Sequence, residues 1–178
     1  MLDCRIEPAH LGDARRIAAM SRCLIETGLD PTWPAARVAW HIRHRESMVL
    51  TARTDREIAG FAIMQFSDET AHLNLLAVAP GHRRRGIARR LLTWLEESAL
   101  TAGTFHIALE LRARNAGARA FYAALGYSEG TRLKGYYQRI EDGICMQRDV
   151  REPRPPARRH DPPGGGKVSR ASDASGHD

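Results

Sequence analysis

The sequence predicts an α+β domain over residues 1–150, a mixed central sheet flanked by helices, and three observations carry that prediction. The hydrophobic period switches along the chain: apolar residues recur at helical spacing near the start, then alternate or run on through three short segments, then return to helical spacing. The apolar run Leu73–Val78 stops at Ala79-Pro80-Gly81 and leads through a basic turn into a helix and then the alternating segment Phe105–Leu111. A strand, a helix of about four turns and another strand form a right-handed crossover that leaves the two strands parallel. Residues 151–178 change character, with no aromatic residue and many Pro, Gly and Ser, so they bury too little apolar surface to offset their ordering entropy and read as a disordered tail.

Taken in order, Cys4–Glu7 reads as a first strand closed by Pro8. Asp13 is a candidate cap for a helix carrying Ile17, Met20, Leu24 and Ile25 on one face and ending near Gly28. The turn-rich loop 29–34 contains Trp33, and a second helix covers roughly 35–45, with Val38, Trp40 and Ile42 mixed with His41, Arg43 and His44, so that one side is expected to be exposed. Strands over 48–53, 58–66 and 71–78, joined by the short turns 54–57 and 67–70, argue for an antiparallel meander. The helix from Gly86 places Ile87, Leu91, Leu92, Leu95 and Ala99 on one side, and Gly103 ends it. Asn115 can cap a short helix over 116–125, stopped by Gly126. A strand around Tyr127–Leu133, a loop over 134–137 and a last strand over 143–148 complete the domain.

Composition narrows the function classes. The net charge of +6 suggests an anionic partner, and all basic residues except Lys134 and Lys167 are arginine, the better fork for phosphate or carboxylate. A GC-rich coding sequence would favour arginine as well. Three widely spaced cysteines, Cys4, Cys23 and Cys145, with no CxxC pair, argue against a disulfide framework and against a metal site. No stretch is apolar and long enough to span a bilayer, and the expectation is a cytoplasmic protein without a membrane partner.

The chemistry begins at His82-Arg83-Arg84-Arg85-Gly86. A helix start carries unpaired N–H groups and the positive end of the macrodipole, so arginines packed just before it are misplaced unless an anion joins them. Free amides, a glycine and forked guanidiniums form an anion cradle; the alternative is a solvated basic turn. On the strand 105–111, Phe105, Ile107, Leu109 and Leu111 share one face, so Glu110 lies on the other with His106 and Ala108, as a surface or an active-site carboxylate. Tyr122 sits at core spacing with Ala118 and Phe121, either a packed tyrosine or one whose hydroxyl turns toward a groove opposite Glu110.

In combination these segments resemble the GNAT acetyltransferases, specifically the branch of ribosomal-protein-alanine and related protein N-terminal acetyltransferases. The resemblance spans about residues 3–149. Arg83-Arg84-Arg85-Gly86-Ile87-Ala88 matches the R/Q-x-x-G-x-G/A pyrophosphate loop, with Ala88 in place of the usual second glycine. Leu109-Glu110-Leu111-Arg112-Ala113-Arg114-Asn115 matches L-E-V-R-x-x-N. Residues 118–127 match A-x-x-L/F-Y-x-x-x-G-F/Y, and Tyr136-Tyr137 and Asp142-Gly143-Ile144-Cys145-Met146 match later family patterns.

The resemblance implies a GNAT fold whose β-α-β crossover frames an acetyl-CoA cleft, with acetyl-CoA as cosubstrate and no metal. It implies that Leu76, Ala77 and Val78 pair with the pantetheine arm, that Arg83, Arg84, Arg85, Gly86, Ile87 and Ala88 hold the diphosphate, and that Asn115 and Tyr122 also contact CoA. Glu110 would be the base, often through water, and Tyr122 the acid, in direct attack within a ternary complex. Trp33, Tyr136 and Tyr137, on the loops 28–34 and 133–139, would meet the acceptor, with simple loop packing as the alternative for Trp33. His72 and His106 read as core or surface residues, with a relay role as the alternative. The expected acceptor is a protein or peptide α-amine. A small-molecule amine or a lysine side chain is the alternative within enzymes, and a catalytically idle domain binding RNA through the basic loop and tail is the alternative outside them. The concentration of arginines at one turn favours a compact phosphate ligand over nucleic acid.

Overall fold

The computed structural model describes residues 4–155, which form one seven-stranded sheet with helices on both faces. The strands are β1 (Arg5–Pro8), β2 (Ser47–Arg53), β3 (Ile58–Phe66), β4 (Thr70–Val78), β5 (His106–Arg112), β6 (Ser128–Tyr137) and β7 (Glu141–Asp149). They lie in the order β1-β2-β3-β4-β5-β7-β6, antiparallel throughout except for the β4–β5 pair. That one parallel pair is spanned by α3 (Ile87–Ala102), which is the crossover expected from the sequence. The other helices are α1 (Ala14–Leu24), α2 (Ala35–Arg43) and α4 (Ala116–Ala124).

Each face of the sheet has its own core. Leu91, Leu92 and Leu95 of α3 are fully buried against Leu50, Met64, Leu73, Ile107 and Leu109, and Tyr122 of α4 joins them. Each such leucine contributes about 1.5–3 kcal/mol of transfer free energy. On the opposite face Ile17 and Met20 of α1 and Val38 of α2 pack on Val49, Phe61, Ile63 and Leu75. The helical spacings at 17/20 and 87/91/95 therefore point each apolar stripe at the sheet, as the sequence pattern requires.

Leu73 and Leu75 belong to opposite cores although they are two residues apart. The cause is a β-bulge: Met64 pairs with Leu73 and Ile63 with Leu75, leaving Asn74 as the extra residue of β4. The bulge turns the strand over and re-aims its second half.

Several local expectations are corrected. The first strand includes Pro8, which an edge strand tolerates because the missing N–H is not needed for its pairing with β2. Asp13 makes no side-chain cap for α1; its carboxylate accepts from the His10 N–H (2.9 Å) in the preceding 3-10 turn and from Arg53 (2.8 Å). Residues 134–137, expected as a loop, are the end of β6, because the chain reverses only at Gln138-Arg139.

Past the expected boundary at 150, Arg154 donates to Thr93 Oγ1 (2.9 Å) and to Glu96 (2.5 Å) on α3. Residues 156–178, the rest of the expected tail, lie outside the described residues.

Candidate active site

β4 and β5 are neighbours only at Thr70/His106, Ala71/Ile107 and His72/Ala108. Beyond the bulge at Asn74 they part, so the C-terminal halves of both strands lose each other as partners, and a cavity of about 1020 Å³ opens between them. Leu76, Ala77 and Val78 line one wall and Glu110 and Arg112 the other. Backbone groups on the open edge of β4 are thus placed to pair with an extended ligand in the manner of an added strand.

At the mouth of this cavity α3 begins. Its N-cap is Gly86, in the left-handed region (φ 75°), and among the described residues no side chain caps it. The first amides of the helix are left for an anion. A Cβ on Gly86 would meet nothing within 4 Å, so glycine is there for its backbone angle and for the open approach it leaves. Arg84 is also left-handed (φ 61°), a conformation that costs a non-glycine residue about 1–2 kcal/mol, and such strain is a feature of ligand clamps. Arg83 folds back so that its Nε donates to the Val78 carbonyl at 3.1 Å, bracing the end of β4.

The residues expected to hold the cofactor converge here with one exception. Leu76, Ala77, Val78, Arg83, Arg84, Gly86, Ile87, Ala88, Asn115 and Tyr122 all line the cavity, whereas Arg85 does not and Arg89, one helical turn on, does. Asn115 Oδ1 accepts from the Ala118 N–H at 3.0 Å, so it caps α4 while facing the cavity. A phosphate-bearing, extended cosubstrate fits this donor set, a strand edge leading to a helix start ringed by arginines. Among the described residues no cluster of His, Cys, Asp and Glu could hold a metal ion.

Glu110 stands on the face of β5 turned away from α3. His72 Nε2 lies 2.6 Å from Glu110 Oε2, and His72 Nδ1 lies 2.8 Å from Asn74 Oδ1. The hydrogen bond from His72 holds the Glu110 carboxyl below its usual range despite partial burial, with help from the Tyr136 hydroxyl. Reciprocally, Glu110 raises the His72 imidazole above its ordinary value of 6.5 against the opposing effect of burial. Asn74 Nδ2 is buried and has no hydrogen-bond partner among the described residues. As placed, the Asn74 oxygen accepts from the imidazolium; after a half-turn of the amide its N–H group could donate to the neutral ring instead. The bulge residue can therefore serve both protonation states of His72.

Tyr122 lines the cavity from the other side of the sheet, and burial pushes its hydroxyl well above the ordinary tyrosine value, so it stays protonated. On the acceptor side, Leu24, Ile25 and Thr27 from the end of α1 and Tyr137 from β6 complete the lining. Arg112 ties these parts together: it donates to the Ile25 carbonyl (2.8 Å), the Thr27 carbonyl (2.7 Å) and Glu141 (2.8 Å), with its guanidinium 5.8 Å from the Tyr137 ring.

Trp33 is not brought to the cavity. It is buried in the core under α1 and α2, its ring 5.0 Å from His41 and covered by the Arg37 guanidinium at 3.9 Å. The loop-packing alternative describes it. His106 is exposed at the start of β5 and away from the lining. The sequence alone reads His72 as a core or surface residue and assigns no role to Asn74 or Arg112. The signal for His72 was available, since an exposed-face histidine on one strand of a parallel pair meets an exposed-face glutamate on the other, but only the register decides which residues meet.

Comparison with known proteins agrees with this fold. Residues 17–127 match the profile of the Acetyltransferase (GNAT) family, and the chain belongs to that family of N-acetyltransferases. It is 42% identical over 103 residues to the [ribosomal protein bS18]-alanine N-acetyltransferase of Salmonella typhimurium, covering 56% of this chain and 68% of that enzyme. It is 38% identical over 83 residues to the N-terminal acetyltransferase B complex catalytic subunit naa20 of Schizosaccharomyces pombe, spanning 44% of this chain and 46% of that protein. The crystal structure of the ribosomal-protein-S18-alanine N-acetyltransferase from Escherichia coli superimposes with a TM-score of 0.72 at 27% identity, over 83% of this chain and 94% of that one.

Proposed function

We propose that this protein transfers an acetyl group from acetyl-CoA to the α-amine of a protein or peptide, with Glu110 and His72 as the base and Tyr122 as the acid. The observation that carries the reading is the Glu110–His72 contact of 2.6 Å at the edge of a split sheet whose cavity ends at an arginine-lined helix start. Its relatives' names point to the same class of acceptor.

Bound acetyl-CoA supplies an activated acetyl thioester and a thiol leaving group. The open edge of β4 orients the extended arm, and the amides around Gly86 with Arg83, Arg84 and Arg89 bind the phosphates. An ammonium cannot attack, so the acceptor must first lose a proton. Glu110, held ionised, takes it and, when the neutral ring carries its proton on Nδ1 and donates it to Asn74 Oδ1, passes it across the short contact to the bare His72 Nε2, which leaves the carboxylate ionised beside an imidazolium. The His72 side chain is 41% exposed and can release the proton to solvent. Tyr122 holds a proton at its hydroxyl on the opposite wall, where the sulfur leaves.

An α-amine with a reference pKa near 7.7–8.0 is about a tenth or more neutral at pH 7, whereas a lysine near 10.4 is below roughly 0.1% neutral. A carboxylate–imidazole pair suits the first far better. No cysteine lines the cavity among the described residues, and direct attack is the mechanism we infer. No described helix is long and apolar enough to cross a membrane, and the free thiols Cys23 and Cys145 suit a reducing compartment such as the cytoplasm.

The test is thiol release from acetyl-CoA with two peptides, one bearing a free α-amine and no lysine, the other blocked at its N-terminus with one central lysine. The first is expected to be acetylated at least about tenfold faster per kcat/KM, from the difference in neutral fraction. Preference for the second would contradict the α-amine assignment. Acetyl-CoA is also expected to raise the melting temperature saturably, and a CoA analogue lacking its phosphates to do so far less.

A further inference from the structure

The layer formed by α1 and α2 carries charge of one sign. Arg15, Arg16 and Arg22 lie on α1, Arg37 and Arg43 on α2, and neither helix contains Asp or Glu. By comparison, α3 mixes Arg89 and Arg90 with Glu96 and Glu97. The first turn of a helix favours acids, yet Arg15 and Arg16 stand in the first turn of α1 and Arg37 in that of α2, with no acidic residue in either turn. Asp13, just before α1, is engaged by Arg53, Arg16 comes no nearer than 3.7 Å to Glu57, and Arg37 covers the Trp33 ring. Arg15, Arg22, Arg43 and Arg45 are exposed and have no carboxylate partner among the described residues. Such a surface is electrostatically unfavourable until an extended anion joins it.

The same face holds an aromatic platform. Ile17, Met20 and Val38 point at the sheet, so Arg15 and Arg22, seven residues apart, and Trp40 and Arg43, three apart, point outward. Trp40 is 47% exposed, yet its ring is fixed: it stacks on His44 with centroids 4.1 Å apart and planes 25° from parallel, and meets His41 edge-on at 4.8 Å. His44 is held in turn, its Nδ1 accepting from the Glu46 N–H at 3.3 Å. Arg37 and Arg43 stand one helical turn before and after this indole.

We propose that the outward face of α1 and α2 is a binding surface for single-stranded RNA, with Arg15, Arg22, Arg43 and Arg45 on backbone phosphates and a base stacked on the Trp40–His44 platform. A fixed π face among guanidiniums matches a strand that presents charge and bare ring faces together. RNA is the polymer in which unpaired bases are an ordinary state, whereas a duplex hides them. An acidic peptide brings charge without a planar base, and an anionic membrane needs a broad apolar face, which two helices with their aliphatic residues turned to the sheet do not offer. The face lies across the sheet from α3 and outside the cavity, so a bound strand leaves the cleft open.

The test is fluorescence anisotropy of an unstructured RNA strand of about 20 nucleotides with the full chain. Four phosphate contacts predict an affinity loss of about 50-fold between about 50 and 200 mM salt. In Arg15→Gln/Arg22→Gln/Arg43→Gln, with one contact left, that loss is expected to shrink to about threefold, and the Kd at low salt to rise at least about tenfold. Trp40→Ala is expected to raise Kd about fivefold or more with the salt dependence unchanged, and Trp40→Phe, which keeps a ring, to recover most of that loss. Arg84→Gln/Arg89→Gln, altered at the cleft, is expected to bind the strand as the unaltered chain does, and melting temperatures across the set separate lost binding from lost folding. Absence of binding at low salt overturns the proposal. So does a duplex bound as tightly as the single strand, or loss of the strand in the cleft variant while the helix-face variants keep it. Polyglutamate or phosphatidylserine vesicles bound more tightly than the strand, with no effect of Trp40→Ala, would overturn it in favour of an acidic peptide or a membrane.

Discussion

Glu96 on α3 and Glu110 on β5 are both carboxylates withdrawn from bulk water, and they keep different company. Glu96 receives Arg148 Nη1 at 3.0 Å, Arg154 Nη2 at 2.5 Å and the Tyr127 hydroxyl at 3.1 Å, and the Arg148 side chain is itself only 5% exposed. Its principal partners never change charge, so the network is saturated and fixed. It staples α3 to β7 and to the chain after Val150. Glu110 has a histidine 2.6 Å away whose own second partner, Asn74, can face either protonation state. A carboxylate paired with arginine is a structural fastening; one paired with histidine can exchange protons near neutral pH.

Substitutions should separate the two. Glu96→Ala leaves Arg148 buried without its counter-charge and is expected to cost about 3–5 kcal/mol of stability in denaturant unfolding, with turnover of the remaining folded enzyme little changed. Glu110→Gln is expected to do the reverse, lowering kcat by about 100-fold or more while the midpoint of unfolding and the affinity for acetyl-CoA stay nearly constant. Tyr122→Phe should also lower kcat more than acetyl-CoA affinity; if neither variant slows turnover, the acid and base assignments fall together.

A smaller effect is expected at Gly60 on β3, where a Cβ would stand 2.9 Å from the Ala77 carbonyl and 3.3 Å from Ile87. Gly60→Ala should cost about 1–3 kcal/mol and, on the proposed function, weaken acetyl-CoA binding, because the strand it displaces is the cavity-lining half of β4. Smallest is His72→Gln, with about a tenfold loss in kcat/KM near pH 7 and a pH-dependent stability difference. The raised His72 pKa contributes stability fully below 6.5 and loses it as pH rises through the folded value, while the lowered Glu110 pKa contributes above 4.5 and loses it as pH falls through its folded value. The melting-temperature gap between the unaltered chain and His72→Gln should therefore be widest between about pH 4.5 and 6.5.

The segment from β4 to α4 was the most legible in the sequence because local rules decide it. Gly103 and Gly126, at φ of 80° and 91°, stop their elements where the pattern places them, and Asn115 caps α4 with its own side chain. What escaped depends on pairing across the sheet. The Asn74 bulge lies inside a continuous apolar run, and only the register with β3 reveals it. The β6–β7 turn carries neither glycine nor asparagine at Gln138-Arg139, so Lys134-Gly135 looked like the better loop. Trp33 looked like an acceptor-side aromatic because tryptophan on a loop suits either contact or packing, and the space between α1 and α2 took it. Glu110 was placed on the correct face by alternation, but its partner lies 38 residues away.

The pH dependence of kcat/KM for an α-amine peptide, measured on the unaltered chain and on His72→Gln, tests the proton path most directly. The acceptor's own ionisation is common to both profiles and cancels in their ratio. The expected ratio rises with pH through a midpoint above 6.5, the side to which Glu110 moves the imidazole. A ratio flat across that range would mean that His72 takes no proton in the reaction, and that Glu110 works without it.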